Sequence, residues 1–395
     1  MKTNRIHPTI LLPILMATSS LAETTPVSVP KPDPAPPAKT AAVAEGALVQ
    51  VALLLDTSGS MKGLIDQARC QLWNVVSELS QARRDGSPIS LQIAVYQYGS
   101  KQLPSGDGFL RQVIGFSDNL DEISQALFSL TVGGDKEFCG QVIGAAIGDL
   151  EWDASPDVYK AIFIAGNESF DQGPVSYGEL LTPINGRSLT VNTIYCGTKE
   201  KGEEQWQSAA GLVGGLFARI DHNHHLPDIQ TPFDERMRKL NEKMNATFVW
   251  YGPGSTEAAK NQSQQDANAK EMSDHAFAAR MSAKIGHLYH HVHHDLIDAI
   301  AHGKVDLATM PEAEMPELMV KLTPAERIEM ITDKTRQRQA VQREMADLIS
   351  SRHRFLEEKM SESLDQPAGG ALVLGGALAR AIREQAQKKG YTFAN

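Results

Sequence analysis

Residues 48–60 read Leu-Val-Gln-Val-Ala-Leu-Leu-Leu-Asp-Thr-Ser-Gly-Ser. The first eight of these residues are almost all apolar, a pattern typical of a strand buried on both faces of a parallel sheet. The run ends at Asp56, and from about Gly63 to Arg84 apolar residues recur every three or four positions, which predicts an amphipathic helix. This part of the chain is therefore predicted to form a strand, a polar loop and a helix.

Further strands and helices are predicted to alternate after this unit. Strand patterns cover Leu91–Tyr98, an edge strand at Phe109–Phe116, Tyr159–Ala165 and Leu189–Cys196, and Asp118–Glu122 has the pattern of a capped helix start. Strands that alternate with helices predict an α/β fold with a doubly wound, mainly parallel sheet flanked by helices. Ligands of such sheets bind beyond the carboxyl ends of the strands, which points to residues 56–60 as the site.

Residues 56–60 offer three hard oxygen ligands. Asp56, Ser58 and Ser60 stand at alternate positions in a loop that contains Gly59. A small divalent cation such as Mg²⁺ accepts a few protein oxygens and keeps several waters, so the pattern predicts a Mg²⁺ site, with Mn²⁺ or Ca²⁺ as other occupants. The alternative is a capped turn that binds no metal.

The pentad, with its strand and helix, resembles the von Willebrand factor type A (VWA) domain, whose metal-ion-dependent adhesion site (MIDAS) opens with Asp-x-Ser-x-Ser. The resemblance covers about residues 47–252. It implies a central, mainly parallel sheet flanked by helices. It also implies a bound cation whose open position is completed by an acidic side chain of a partner protein, so the domain would bind rather than catalyse.

Two positions depart from the family's pattern. Family members supply a Thr from a second loop, where this chain has Asp135, and an Asp after the fourth core strand, where this chain reads Gly166-Asn167-Glu168. We expect Asp135 to carry the displaced negative charge and Glu168 to reach the metal through a water. The predicted metal site therefore comprises Asp56, Ser58, Ser60, Asp135 and Glu168.

Enzymatic alternatives fit the same residues less well. A phosphatase with an aspartyl nucleophile needs a second acid two residues later, and Ser58 stands there. Neither a GxSxG nucleophile turn nor a GxxxxGK[ST] phosphate loop occurs. A metal-dependent hydrolase that uses Glu137 or Glu168 as its base stays open, although nothing in the sequence marks the base. A non-enzymatic function is therefore predicted.

Composition narrows the class of protein. The chain has 395 residues, 42% of them hydrophobic, which is enough for a large core and more than one domain. Its 38 Lys and Arg against 48 Asp and Glu give a net charge of -10, which argues against nucleic-acid binding. Among the 3 Cys, Cys139 and Cys196 form a possible disulfide at one rim of the sheet, and Cys70 is predicted to be a buried thiol, although other pairings stay open.

The amino-terminal residues predict export. Residues 1–22 have the pattern of a signal peptide, with Lys2 and Arg5 before an apolar run and Ser20-Leu21-Ala22 at the cleavage site. The run is far shorter than the roughly 20 residues that span a bilayer, and the mature chain is predicted to have no transmembrane segment and to be periplasmic or secreted. Residues 23–46 form a Pro-rich linker, residues 47–252 the VWA domain and residues 253–395 a helical region.

The helical region carries less specific signals. Five histidines, at positions 287, 290, 291, 293 and 294, fall in a predicted helix at Ala278–Ala301. They could bind Zn²⁺, Ni²⁺ or Cu²⁺, but a solvated or packing helix is favoured because no Cys or HExxH motif completes a site. The group at positions 222, 224 and 225 is interpreted in the same way.

A long helix is predicted in the same region. Thr323 caps its start, and it runs to about Met360 as a possible coiled-coil hairpin, although Arg352 interrupts the apolar stripe. This tail and the run Ala161–Glu168 look like those of exported bacterial VWA proteins whose task is undefined. Beside metal-dependent recognition, a metal-free structural protein of the cell envelope stays an alternative.

Overall fold

The computed structural model describes residues 48–184, 188–197, 202–223, 228–362 and 373–393. The predicted signal peptide (1–22), the predicted linker (23–46), His224 and His225 lie outside these ranges. All described residues belong to one compact unit.

A six-stranded sheet forms the centre of this unit. Its strands are β1 (Leu48–Asp56), β4 (Ser90–Tyr98), β5 (Leu110–Ser117), β6 (Tyr159–Gly166), β7 (Leu189–Cys196) and β8 (Phe217–Ile220). Their order in the sheet is β5-β4-β1-β6-β7-β8, and every neighbouring pair is parallel except β4 and β5. The strand predicted from residues 48–55 is therefore at the centre of the sheet, and the predicted mainly parallel topology is confirmed.

Side chains of β1 pack into a separate core on each face of the sheet. Val51 and Leu53 point to one core, whereas Ala52 and Leu54 point to the other. Successive side chains of a strand alternate between faces, so a strand covered on both sides must be apolar at nearly every position. This explains the continuous apolar run that precedes Asp56.

Helices cover both faces of the sheet. The first core is covered by α1 (Lys62–Leu79) and α2 (Leu120–Phe128), and the second by α3 (Cys139–Asp149), α4 (Tyr177–Leu181) and α5 (Glu203–Leu212). Helix α1 is shorter than the predicted helix Gly63–Arg84, because residues 82–84 form a strand instead. The α/β fold with helices on both faces is thus confirmed, with one helix end predicted wrongly.

The second half of the described chain is mainly helical. It contains α6 (Asp234–Asn245), α7 (Ser255–Met272), α8 (Asp274–Lys284), α9 (Leu296–Ala301), α10 (Glu317–Val320) and α11 (Pro324–Glu362). Val341, Met345 and Ile349 of α11 pack against α6 and α8 in an apolar cluster of their own. Arg352, which interrupts the apolar stripe, forms a buried ion pair with Asp234 of α6 at 2.8 Å. The predicted start and length of α11 agree with the structure.

The last described residues return to the first half of the chain. Helix α12 (Leu374–Gln387) packs on α1 and covers the first core. Strand β9 (Tyr391–Phe393) then completes a small sheet with β2 (Ala82–Arg84) and β3 (Ser87–Pro88) in the order β3-β2-β9. Contacts thus cross the predicted domain boundary near residue 253, and the division at that position stays a prediction.

Two further sequence predictions are wrong in the described part of the chain. The helix predicted at Ala278–Ala301 is broken, because α8 ends at Lys284 and α9 begins only at Leu296. The side chain of Asp295 caps α9 and also accepts a hydrogen bond from the Val249 amide in an extended segment. The histidines at positions 287–294 therefore do not lie on a helix.

The predicted disulfide is the second. Cys139 and Cys196 are free thiols, and they belong to the cores on opposite faces of the sheet, so the sheet lies between their side chains.

In the described residues, no helix has the length and apolar character that crossing a membrane requires.

Candidate metal centre

Asp56 lies at the carboxyl end of β1 with its side chain fully buried. Its Oδ1 accepts a hydrogen bond from the Ser58 amide at 2.7 Å. Its Oδ2 is buried and has no hydrogen-bond donor in the described structure. Buried carboxylate oxygens are almost always paired in folded proteins, so an unpaired one calls for an explanation, such as a bound ion or water.

Two more unpaired oxygens belong to the neighbouring loops. The Ser58 hydroxyl and the Asn167 Oδ1 are both buried without a hydrogen-bond partner in the described structure. The Asn167 side chain also donates a hydrogen bond from Nδ2 to the Ser60 Oγ at 3.2 Å, which connects the loop after β6 to the pentad. The side chains of Asp56, Ser58, Ser60 and Asn167 thus come from the ends of two adjacent strands.

The loop at residues 132–138 is hydrogen-bonded directly to the pentad. The Gly133 amide donates to the Thr57 carbonyl at 2.8 Å, and the Gly59 amide donates to the Gly134 carbonyl at 3.1 Å. Such main-chain pairing fixes the distance between the two loops independently of their side chains. The second loop therefore lies where the sequence resemblance implies.

Glu137, rather than Asp135, is the buried carboxylate of this loop. Asp135 is exposed at a bend, whereas Glu137 is only 3% exposed. Gln172 forms two hydrogen bonds with Glu137. The Gln172 Nε2 donates to the Glu137 Oε2 at 3.0 Å, and the Glu137 amide donates to the Gln172 Oε1 at 2.9 Å. In the sequence, Glu137 stands out only as a possible catalytic base, and no pattern marks Gln172.

Glu168 lies at the rim of the centre. Its side chain is exposed, and its main-chain carbonyl accepts a hydrogen bond from the Trp206 Nε1 at 2.8 Å. Its charge still raises the pKa of Asp56 and of Glu137. The predicted contact of Glu168 with a metal through a water stays a prediction.

The carboxylates of the centre are hard to ionise without a cation. Burial, together with Glu137 and Glu168, raises the pKa of Asp56 to about 8, even though the Ser58 amide opposes the shift. Burial and the charge of Glu168 also raise the pKa of Glu137, against the opposing hydrogen bond from Gln172 and the nearby Ser58 hydroxyl, which is close to this carboxylate without reaching hydrogen-bond geometry. A bound cation would reverse both shifts, because it stabilises the ionised forms.

His222 lies beside the pentad. It follows β8, is buried, and its side chain lies against the main chain of Ser60. Burial lowers its pKa, so the ring is neutral at pH 7. Of the second histidine group predicted from sequence, His222 is the member that the structure describes.

The donor set fits a hard divalent cation. Among the described residues, no three His, Cys, Asp or Glu side chains are arranged to coordinate a metal ion. The centre instead combines the carboxylates of Asp56 and Glu137 with hydroxyl and amide oxygens, which are the ligands of Mg²⁺, Mn²⁺ and Ca²⁺. Thiolates and imidazoles, the usual ligands of a structural zinc, are not part of this set.

Comparison with known proteins gives similarity at the level of structure. No protein-family model matches the sequence, and no curated protein matches it. Proximal thread matrix protein 1 from the mussel byssus, solved with a zinc-occupied MIDAS motif, is similar at 14% identity and a TM-score of 0.34, over 45% of this chain and 43% of that one. A von Willebrand factor type A structure from Catenulispora acidiphila is similar at 16% identity and a TM-score of 0.34, over 44% and 39%.

The VWA domain of SpRpn10 is similar at 13% identity and a TM-score of 0.32, over 44% of this chain and 87% of that domain. The chain spans less than half the length of the first two structures. The fold itself is established by the strand order and the two helical layers described above. A mainly parallel sheet flanked by helices, as the resemblance to VWA domains implies, is the fold of this chain.

Proposed function

We propose that this chain is a recognition module that binds a protein partner through a divalent cation. The cation would be held by Asp56, Ser58 and Ser60, with Glu137 and Asn167 from the neighbouring loops. One observation carries the proposal: the Asp56 Oδ2, the Ser58 hydroxyl and the Asn167 Oδ1 are buried without hydrogen-bond partners in the described structure. Each such group typically costs about 1–3 kcal/mol, and a cation with its waters would satisfy all three.

The chain's own residues keep the centre in place. The Ser58 amide orients the Asp56 carboxylate, and the hydrogen bond from Asn167 to Ser60 holds the rim of the pentad. The bound cation would supply an electrophilic position for an oxygen of the partner. Asp135 and Glu168, which the sequence favours as ligands, are exposed, and we propose that they act through water.

Export is part of the proposal. It is supported by the sequence pattern of residues 1–22. We propose that the protein acts in the periplasm or outside the cell, where partner proteins of the envelope would meet the centre. Binding without turnover is proposed, with Mg²⁺ as the cation and Mn²⁺ or Ca²⁺ as substitutes.

Calorimetry on the chelator-stripped protein tests the metal centre. We expect one Mg²⁺ or Mn²⁺ per chain, and a loss of affinity of about a hundredfold in Asp56→Asn, which keeps the size of the side chain but removes its charge. Asp107→Asn removes an exposed charge from the same α/β part and should bind like the wild type. Absence of uptake of Mg²⁺, Mn²⁺ and Ca²⁺ by the wild type would refute the proposal.

Partner capture tests the recognition step. We expect proteins recovered from an envelope extract by the wild-type chain in Mg²⁺ to be lost with a chelator and with Asp56→Asn. Recovery that is unchanged by both would favour the metal-free structural alternative. Turnover of a substrate that requires Asp56 would favour the hydrolase.

A further inference from the structure

A cavity of about 260 Å³ lies between the first turns of α2 and α7 and the segment 285–295 that joins α8 to α9. Strand β5, which precedes α2, is antiparallel to β4 and ends at Ser117 beside Ile93. The cavity is therefore near the opposite end of the sheet from Asp56 and the candidate metal centre. Its lining includes Asp121 and Glu122 of α2, Glu257 of α7, and His291 and His294 of the joining segment.

His291 is a buried member of this lining with an unpaired ring. It is only 5% exposed, and its ring packs edge-on against those of Phe248, Trp250 and Tyr289. Its Nε2 lies 3.2 Å from the Asp121 Oδ2 without the alignment of a hydrogen bond, and its Nδ1 has no hydrogen-bond partner in the described structure. Buried polar groups are almost always paired, so this nitrogen calls for a bound water or a ligand atom.

The unpaired Nδ1 of His291 is a hydrogen-bond acceptor. Burial would raise the pKa of Asp121, but Arg280 and His291 outweigh it and hold this pKa well below its usual range, so Asp121 has no proton to donate. In a neutral His291 ring, the hydrogen therefore lies on Nε2, which faces the carboxylate, and Nδ1 can only accept. The Nδ1 of His294 is likewise buried and unpaired in the described structure. A ligand of this cavity must bring a donor.

The charge of the lining favours a cation. The Asp121 carboxylate is already balanced by Arg280 at 2.8 Å, whereas Glu122 and Glu257 are exposed at the rim. Within the described chain, no Lys or Arg lines the cavity. A positively charged donor is therefore attracted more strongly than a neutral one. A metal ion fits less well, since no three His, Cys, Asp or Glu side chains of the described residues are arranged to coordinate one.

We propose that this cavity binds a small organic cation with N–H donors, a primary ammonium or a guanidinium group. The His291 Nδ1 accepts one of its hydrogen bonds, and Glu122 and Glu257 balance its charge. The cavity is smaller than the roughly 300–1,000 Å³ of pockets for drug-sized ligands, so it suits one such group. The group belongs to a free amine or to a Lys or Arg side chain of a partner. This site does not depend on the proposed divalent-cation centre.

Nuclear magnetic resonance of the full chain with labelled histidine rings tests the proposal, because a bound ligand shifts the signals of His291 and His294. The main probe is n-butylammonium. Its controls are n-butanol, which has a similar shape without the charge, and tetramethylammonium, which has the charge without an N–H donor. For the wild type we expect saturable shifts at millimolar n-butylammonium and much weaker shifts with both controls. Absence of a response to n-butylammonium, or equal responses to the three compounds, would overturn the proposal.

Two substitutions test the roles of the lining, with the signal of His294 as the readout. His291→Phe keeps the aromatic packing but removes the acceptor, and we expect about tenfold weaker binding of n-butylammonium. Glu257→Gln removes an exposed charge and should weaken binding about threefold. Glu271→Gln, exposed near the other end of α7, should bind like the wild type. Unchanged affinity in both His291→Phe and Glu257→Gln would contradict the proposal, and circular dichroism establishes that each variant is folded.

Further probes identify the source of the cation and separate this site from the metal centre. A blocked Gly-Lys-Gly peptide that binds as well as n-butylammonium supports a side chain of a partner protein, whereas binding of n-butylammonium alone supports a free amine. Zn²⁺ that shifts both histidine signals, where n-butylammonium does not, would refute the proposal in favour of a metal site. The amine titrations contain a chelator, so their outcome is independent of Mg²⁺ binding at Asp56.

Discussion

At the scale of single residues, the centre depends on a glycine that no motif marks. Gly99 follows β4 with φ +87°, in the left-handed region that favours glycine, and lies against the Asp56 Oδ1. Its amide donates to the Phe109 carbonyl, and its carbonyl accepts from the Lys136 amide. The main chain thus approaches the candidate ligands at a point where no side chain fits.

Gly99→Ala should therefore destabilise the protein more than the backbone angle alone explains. The left-handed conformation costs roughly 1–2 kcal/mol for a residue with a Cβ, and crowding in a packed site adds about 1–3 kcal/mol. Gly86→Ala is the matched control, since Gly86 has φ +77° and open space around its Cβ. Urea denaturation of both variants measures the difference, and equal losses of unfolding free energy would refute the steric argument.

Only part of the site could be predicted from the sequence. Asp56, Ser58 and Ser60 follow from their place at the end of an apolar strand, and the structure brings them together with Asn167. Sequence spacing could not show which acid of the second loop faces inward, because Asp135 lies at a bend that interrupts the alternation of an extended chain. A signal for Glu137 was its position directly before the apolar start of α3.

At the scale of elements, one arginine of α8 contacts residues of three other helices. Arg280 of α8 is fully buried, and its guanidinium contacts Asp121 of α2 at 2.8 Å and Asp266 of α7 at 2.6 Å. It also lies over the Trp73 ring of α1, 4.6 Å from the ring centroid. No sequence pattern indicates this network, because its most distant charged members, Asp121 and Arg280, are 159 positions apart and nothing in the sequence marks them as partners.

Arg280→Met should be severely destabilising. Removing one partner of a buried ion pair leaves uncompensated charge, here on Asp121 and Asp266, and typically costs about 3–5 kcal/mol. Arg336→Met is the control, because Arg336 forms an exposed ion pair with Asp333 that is worth roughly 0–1 kcal/mol. Thermal and urea unfolding would measure both, and similar losses would contradict the assignment of Arg280 as the buried link.

The same network makes stability depend on pH. Burial alone would raise the pKa of Asp266, but Lys284 and Arg280 outweigh it and lower the pKa from 3.8 to about 2. A group whose pKa is lower in the folded state stabilises the fold at pH values above its unfolded pKa and loses that contribution as the pH falls. We expect about 2 kcal/mol of unfolding free energy to disappear between pH 4 and pH 2 because of Asp266.

Urea unfolding at a series of pH values measures this loss. Asp266→Asn, which cannot titrate, should flatten the acid limb by about the same amount relative to the wild type. An acid limb that is identical in the two proteins would show that Asp266 is not responsible.

At the scale of the whole molecule, the last described residues secure the first strand. The Tyr391 hydroxyl of β9 donates to the Leu48 carbonyl of β1 at 2.7 Å, and the buried Gln385 of α12 binds the Tyr159 hydroxyl of β6 and the Asn192 side chain of β7. The sequence predicts this helix at Leu378–Lys389, and the structure has it begin one turn earlier, at Leu374. Its place on α1 could not be predicted, because an amphipathic pattern does not identify the surface that it covers.

Tyr391→Phe should reveal this connection. The change keeps the ring in its buried position but leaves the Leu48 carbonyl without its donor, which typically costs about 1–3 kcal/mol. Thr392→Ala, at the exposed neighbouring position, should change stability by no more than about 0.5 kcal/mol. If chemical denaturation gives the same stability for Tyr391→Phe as for the wild type, the hydrogen bond between Tyr391 and Leu48 does not stabilise the contact between β9 and β1.

The bond between Tyr391 and Leu48 also has a consequence for biosynthesis. Its two residues are 343 positions apart. At a ribosomal speed of about 5–20 residues per second, the nascent central strand waits roughly twenty seconds to a minute for this partner. Throughout that interval, the apolar surface of α1 that α12 later covers is open to water. A newly made chain therefore cannot complete this part of its fold until α12 and β9 have been synthesised, and this delay gives chaperones a period in which to bind it.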